Sequence, residues 1–492
     1  MIGVRRLPPL GLRSSLLLLC AALCGCAPSI DLARPKLALP ARFEAAPAAE
    51  AASEPLDRWW DRFADPQLST LVDEALAYNT DARSAYFRLR EARAIRDQSL
   101  SQRLPTGAAS GLAKVQDGSQ LSGTDLFGST GKSDSQSLSF SPSWELDLFG
   151  RLSAIGEGAR ASYVAAAYDY HAARLTLAAD VASALFDARG LAVQRDDAQE
   201  VLRIARELAR ASELGRDHGL VAAGETARLE GDVATAQAEL TRVETALRNA
   251  KRSLLVLVGR PAAPTDSLPI EARLDVPPPV PPLLPATLLT RRPDVLAAEA
   301  RLAAASSAVQ VDRLALFPRF TLQGAGSISR TSGALGGVSS LWSLGAGLSL
   351  PILDRTRLMA QLRATQAQGE QAVISYEAAV QAAFRDADIA LALVAADRTR
   401  LTDLARAEER ARFAFSTGRK GYQAGLTDLT TLLQSEQTWR AARRALTTAR
   451  TQALNNIVAA YRTLGGGWSP DDPATAPDQP AIILPIQPKE MP

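Results

Sequence analysis

The chain has 492 residues, 47% of them hydrophobic but only 5% aromatic, with 55 Lys and Arg against 53 Asp and Glu. That length exceeds one ordinary domain, and the near-cancelling charge gives no basis for nucleic acid as a partner. Two histidines far apart, and three cysteines confined to the first 26 residues, argue against a zinc centre and a disulfide framework.

Arg5 and Arg6 precede an apolar run, "LLLLCAAL" (16–23), that is too short to span a bilayer as an ordinary helix. It ends in "LCGC", with the small Gly25 just before Cys26. The stretch resembles the bacterial lipobox, so residues 1–25 are expected to be a lipoprotein signal peptide and Cys26 the lipidated first residue of the mature protein. Cys20 and Cys24 fit less well because each follows a leucine. An acyl chain contributes roughly 0.8 kcal/mol per buried CH₂. No later stretch has the length and apolarity of a transmembrane helix, so a mature chain that crosses a membrane must do so with strands.

Residues 26–62, rich in Ala, Pro and Glu, read as a lipid-anchored linker. A first repeat covers 63–275. It begins with helical spacing over 66–103, stopped near Pro105. A β-hairpin follows near 108–148: a strand at about 108–117, a polar loop, and a strand in which Leu138, Phe140, Pro142, Trp144, Leu146 and Leu148 occupy every second place. From Leu152 to about Glu213 the pattern is one long helix. The chain then breaks at "ELGRDHGLVAAG" and returns with Leu229, Val233, Ala236, Leu240, Val243 and Leu247 at steps of four and three, a coiled-coil seam. The Pro-rich segment 276–287 is a stiff connector.

Residues 288–468 form a second repeat. A shift of 213 carries Asp81 onto Asp294 and Pro105 onto Pro318; a shift of 206 carries Gly219 onto Gly425 and Leu220 onto Leu426. Its hairpin lies near 319–350, with Phe320, Leu322, Gly324, Gly326 and Ile328 on one strand face and Trp342, Leu344, Ala346 and Leu348 on the next. Another long helical hairpin follows, and 469–492 is a Pro-rich tail. Two hairpins give four strands, whereas a membrane barrel needs roughly eight or more. Three chains supply twelve. The expected barrel face therefore includes Phe140, Trp144, Leu146, Leu322, Trp342, Leu344 and Leu348. The two tryptophans suit either a membrane interface or packing where strand meets helix.

The stretches "RFADPQLSTLVDEALAYNTDARSAYFRLREARA" (62–94), "WELDLFGRL" (144–152), "LLTRRPDVLAAEARL" (288–302), "FPRFTL" (317–322), "WSLGAGLSLPILD" (342–354), "GYQAGL" (421–426) and "LGGGW" (464–468) resemble the outer membrane efflux protein family, TolC-like, of the lipoprotein type. The resemblance implies a mainly α fold with a β-barrel part. Its homotrimer would form a twelve-stranded outer membrane barrel continued by a helical coiled-coil tunnel in the periplasm. It implies the exit duct of a tripartite pump for drugs or other small molecules, with a periplasmic adaptor, an inner membrane efflux pump of the resistance-nodulation-division type, and outer membrane lipid as partners. No cofactor or metal is expected, and no catalytic residue. Adaptor docking maps to the hairpin turns at His218, Gly219 and Leu220 and at Ala424, Gly425 and Leu426.

The tunnel gate maps to Asp428, Gln434 and Glu436, where Leu433–Glu436 departs from the family's common Leu-Asp-Ala-Gln and removes a carboxylate at Gln434. Two other readings stay open: a coiled-coil spacer lipoprotein without a pore, and the exit duct of an ATP-driven secretion system. No Gly-x-Ser-x-Gly elbow or phosphate loop supports an enzyme.

Overall fold

The computed structural model describes residues 40, 42–44, 56–118, 131–280, 285–332 and 336–469. Cys26 and the signal peptide lie outside the described residues, as does the tail beyond Ser469. In chain order the principal elements are α1 (Pro66–Tyr78), α2 (Thr80–Ser101), β1 (Thr106–Gly118), β2 (Gly131–Leu146), α3 (Arg151–Asp217) and α4 (Ala223–Leu257). The second copy gives α5 (Pro293–Leu314), β3 (Arg319–Ser332), β4 (Gly337–Ser349), α6 (Arg355–Gln423) and α7 (Leu429–Thr463). No described helix is long and apolar enough to cross a membrane.

The expected helix over 66–103 is two helices. Asn79 leaves helical geometry (φ −59°, ψ 139°), and its Oδ1 accepts the N–H groups of Asp81 (2.7 Å) and Ala82 (3.3 Å), capping α2. Its Nδ2 donates to the Leu257 carbonyl at 2.9 Å, which anchors the break to the end of α4. The strands run further outward than their apolar alternation suggested, because their serine-rich and glycine-rich outer ends continue the backbone ladder without an apolar face.

The chain divides into two compact units. The described part of one comprises 90–118, 131–165 and 298–376 without 333–335, and contains the sheet. The order is β1-β2-β3-β4, antiparallel throughout, so the two hairpins join through β2 and β3. Register pairs Ser110 with Ser139, Leu138 with Ile328 and Gly326 with Trp342. Pro142 has no N–H to give, and the β2–β3 pairing is interrupted beside it. Gly324 faces it: a Cβ there would stand 2.8 Å from the Pro142 ring, so only glycine lets the two backbones keep their spacing.

The other unit is helical, and its main core gathers around Trp59, which stacks on Tyr461 with ring centroids 5.4 Å apart. Phe186, Leu254, Leu454 and Ile457 close around the pair. The seam of α4 is buried at Leu229, Ala236, Leu240, Val243 and Leu247, where it meets alanines and leucines of α3 such as Ala198, Leu202 and Ala205. Alanine on the α3 side permits the close approach that a two-helix seam needs.

A buried ion pair pins the start of α1 to α3. Asp65 caps α1 by accepting from Gln67 N (3.1 Å) and Leu68 N (3.3 Å), and its other oxygen accepts from Arg189, with both side chains 2% exposed. Arg189 also donates to Gln67 Oε1 at 2.9 Å. Burial alone would raise the Asp65 carboxyl; the Arg189 hydrogen bond and charge, with help from Leu68 N–H and Arg273, outweigh it and hold the pKa below the usual carboxylate range.

Replacing one partner, by Asp65→Ala or Arg189→Met, strands a buried charge and is expected to cost about 3–5 kcal/mol, read as a lower thermal midpoint of the detergent-solubilised protein. Because the folded pKa of Asp65 is depressed, its stabilisation is present above the unfolded carboxylate value and fades as pH falls through the folded one. Asp65→Ala should flatten that acid limb.

Candidate functional site

The sheet has two chemically distinct faces. One presents Leu138, Phe140, Trp144, Ile328, Trp342, Leu344 and Leu348, all exposed, with Leu146 and Leu322 half-buried at the helix-proximal end. Every second residue lies on the other face, where β2 carries Ser135, Ser137, Ser139, Ser141 and Ser143 in succession. Hydroxyls pair across strands there, Ser110 with Ser139 at 2.8 Å and Ser329 with Ser339 at 2.7 Å. Trp144 is fixed at the strand base, its indole N–H donating to the Arg103 carbonyl at 2.9 Å. Trp342 stands free at 83% exposure.

Such a sheet is unfinished. β1 and β4 are its edges, each with a row of backbone groups lacking a strand partner among the described residues. In hydrocarbon each unsatisfied group costs several kcal/mol, so the apolar face can meet lipid only once further strands close both edges.

The helical turns are built alike in the two copies. In the first, Leu220 N donates to Gly215 O (2.7 Å) and Gly219 N to Arg216 O (2.8 Å). In the second, Leu426 N donates to Gly421 O (2.8 Å) and Gly425 N to Tyr422 O (3.0 Å). This is a Schellman ending with glycine in the left-handed region, φ +72° at Gly219 and +70° at Gly425. Such turns usually pack the residue after the glycine against a side chain five positions earlier. Here that earlier position is Gly215 or Gly421, which offers none, and Leu220 and Leu426 project 81% and 84% exposed. The pairing of Gly215 with Gly421 escaped the sequence reading, although the same shift of 206 exposes it as a shared Gly-x-x-x-Gly-Leu.

The three gate candidates do not converge. Asp428 is the N-cap of α7, accepting from Thr431 N and Thr431 Oγ1, both at 2.8 Å, and those bonds hold its carboxyl below the usual range. Gln434 is exposed. Glu436, about 200° further round the helix, is buried at 2% exposure and pairs with Arg440. Burial raises the Glu436 pKa, Arg440 opposes the rise, and Asp232 adds to it.

A cluster absent from the sequence reading sits one turn on. Trp439 stacks on Phe415 with centroids 5.1 Å apart and donates to Glu408 at 3.1 Å, while Arg443 lies over the indole and pairs with Asp197. It ties α3, α6 and α7 together through side chains whose partners lie on other helices. Among the described residues no group of three His, Cys, Asp or Glu side chains is placed to hold a metal ion.

Comparison with known proteins finds the same architecture. The profile of the family described as Outer membrane efflux protein matches residues 71–260 and again 284–466. The pyoverdine export outer membrane protein OpmQ of Pseudomonas aeruginosa is 32% identical over 449 residues, 88% of this chain and 92% of its own. The probable outer membrane lipoprotein SilC of Salmonella typhimurium is 28% identical over 421 residues, covering 83% of this chain and 88% of the relative. The solved structure of the outer-membrane channel OprN superposes with a TM-score of 0.77 at 31% identity, over 90% of this chain and all of the other.

Because the folded pKa of Glu436 is raised, the protonated acid is the form the fold prefers. Its favourable contribution is complete below the unfolded glutamate value and is lost as pH rises through the folded pKa. Thermal midpoints of the parent should therefore rise as pH falls across that window, and Glu436→Gln should be more stable at neutral pH and show a smaller rise than the parent.

Proposed function

Because the chain belongs to the outer membrane efflux protein family, we propose that it works as a trimeric, lipid-anchored exit duct whose helical turns receive a periplasmic adaptor. It is an outer membrane efflux channel and not an enzyme, with the family's fold of barrel and helical tunnel built from two repeats. The family serves tripartite efflux systems, which implies a trimer and pump partners. The carrying observation is the four-stranded sheet with an exposed apolar face and two open edges, in a chain whose described helices do not span a membrane. Three copies supply twelve strands, enough to close a barrel of the smaller kind.

Lipidation at Cys26 rests on its place after Gly25 and is supported by the lipoprotein description of SilC. The helical unit then belongs in the periplasm. Adaptor docking at Gly219, Leu220, Gly425 and Leu426 is supported by two identical turns that each hold a leucine out in water. Asp428 and Gln434, exposed near the second turn, are the residues we assign to the gate, with Glu436 acting through its pairing to Arg440. Energy for transport comes from the inner membrane pump, since the sequence shows no phosphate loop. The cargo class is small molecules, in line with the pyoverdine export named for OpmQ.

Light scattering of the detergent-extracted protein, with detergent mass subtracted, should give three times the chain mass, and planar bilayers should then show conductance. A folded monomer without conductance would replace the duct by a spacer lipoprotein. In the full chain, Leu220→Asp with Leu426→Asp is expected to leave the trimer intact while abolishing cross-linking to the adaptor and export; unchanged cross-linking would move the docking surface elsewhere. Cys26→Ser should lose incorporation of labelled fatty acid.

A further inference from the structure

The hydroxyl face of the sheet is the water face once the apolar face meets lipid, and its charges are few enough to name. On the strands' described side chains they are Lys114 on β1, Glu145 on β2 and Arg319 on β3; β4 carries none on this face. Glu145 is neutralised by Arg151, whose guanidinium reaches both carboxylate oxygens at 2.8 and 2.7 Å. Asp147, just past the end of β2, is turned to cap α3, accepting from Leu152 N (2.9 Å) and from Ser153 N and Oγ (both 2.7 Å).

The side chains of Lys114 and Arg319 have no ion-pair or hydrogen-bond partner among the described residues. Both are exposed. Register sets Lys114 opposite Ser135, which is opposite Thr331, itself opposite Gly337. No carboxylate shares that level. Twelve residues separate Thr331 from Arg319, roughly 40 Å along the strand, so the two cations mark opposite ends of the face.

We propose that Lys114 and Arg319 are specificity-determining residues that give the barrel lumen a fixed positive charge and favour the passage of anionic small molecules. The inference rests on the trimeric-duct reading and adds the cargo's charge class. Three copies place three lysines at one level and three arginines at the other, between serine and threonine hydroxyls. Twelve strands about 4.8 Å apart, tilted about 40°, close a ring roughly 24 Å across between backbones. No point of that lumen is more than about 12 Å from the wall, comparable with a Debye length of about 10 Å at 0.1 M salt. The field therefore reaches the axis in dilute salt. In 1 M salt, with a Debye length of about 3 Å, it is confined to the wall.

The test is the chloride-to-potassium permeability ratio of the full-length protein in planar bilayers under a KCl gradient. Lys114→Gln with Arg319→Gln should lower the ratio roughly twofold near 0.1 M salt, with the difference disappearing near 1 M. Lys114→Arg with Arg319→Lys should keep the parent ratio. Lys114→Cys allows the charge to be exchanged in one folded channel: a cationic thiol reagent should restore the parent ratio and an anionic reagent should push it below that of the unlabelled variant. A ratio indifferent to both reagents and to the glutamine pair, in channels that still conduct, would overturn the charge assignment and leave the duct standing. A parent that never conducts would overturn the duct and this inference with it.

Discussion

The rest of the molecule depends on one requirement: a backbone N–H or C=O placed in hydrocarbon must be bonded within the protein. A single copy meets it for β2 and β3, which have strand neighbours on both sides, and leaves it unmet along β1 and β4. The exposed apolar face makes the requirement unavoidable, because Phe140, Trp342 and Leu344 have no protein surface to cover them in the described chain. Closing the edges with more strands of the same kind solves both problems at once. It also explains why the two repeats are fused in one chain: joining β2 to β3 removes half of the edges that separate hairpins would present.

The duplication shows which features the fold enforces and which it leaves free. Both copies keep the glycine that permits positive φ at the turn, the glycine five residues before the exposed leucine, and that leucine. They differ at the start of the returning helix. Asp428 caps α7 with its side chain, whereas Ala222 before α4 has no side-chain cap. A cap contributes about 1 kcal/mol, so the second turn is the better-defined of two helix starts built on one plan. The two copies are also buried unequally: α7 hides Glu436, Trp439 and Asn456, of which Trp439 and Asn456 bond to Glu408 and Asp397 on α6 while Glu436 pairs with Arg440 on α7 itself.

What could be read from the sequence follows from the range of the forces involved. Alternation along β2 and the four-three seam of α4 are set by geometry within one element, so "SLSFSPSWEL" and Leu229–Leu247 announce their faces directly. The left-handed turns are similarly local, since Gly219 and Gly425 are fixed by φ alone. The break at Asn79 was not legible, because its neighbours favour helix and the deciding bond runs to Leu257, 178 residues away. Nor was the burial of Glu436, which depends on Arg440 on its own helix and on what the other helices place beside it. Asp65 and Arg189 are 124 residues apart and carry no motif. The candidate strand faces and turns were visible early for the same reason that the buried charges were not.

The exposed leucines at the turns have a quantitative consequence. Fully burying a leucine side chain contributes about 1.5–3 kcal/mol. Two per chain, in three chains, offer on the order of 10 kcal/mol before costs, comparable with the 4–15 kcal/mol that association itself consumes. One turn engaged alone falls well short of that cost; all of them engaged together can approach it. The glycines at 215 and 421 give the leucine no side chain to pack against, and the space a Cβ would need there is taken by Val221 and Thr427, the residues that follow each leucine. A turn that forgoes that packing is less stable in isolation, and in the proposed trimer docking at these turns would depend on many weak contacts formed together.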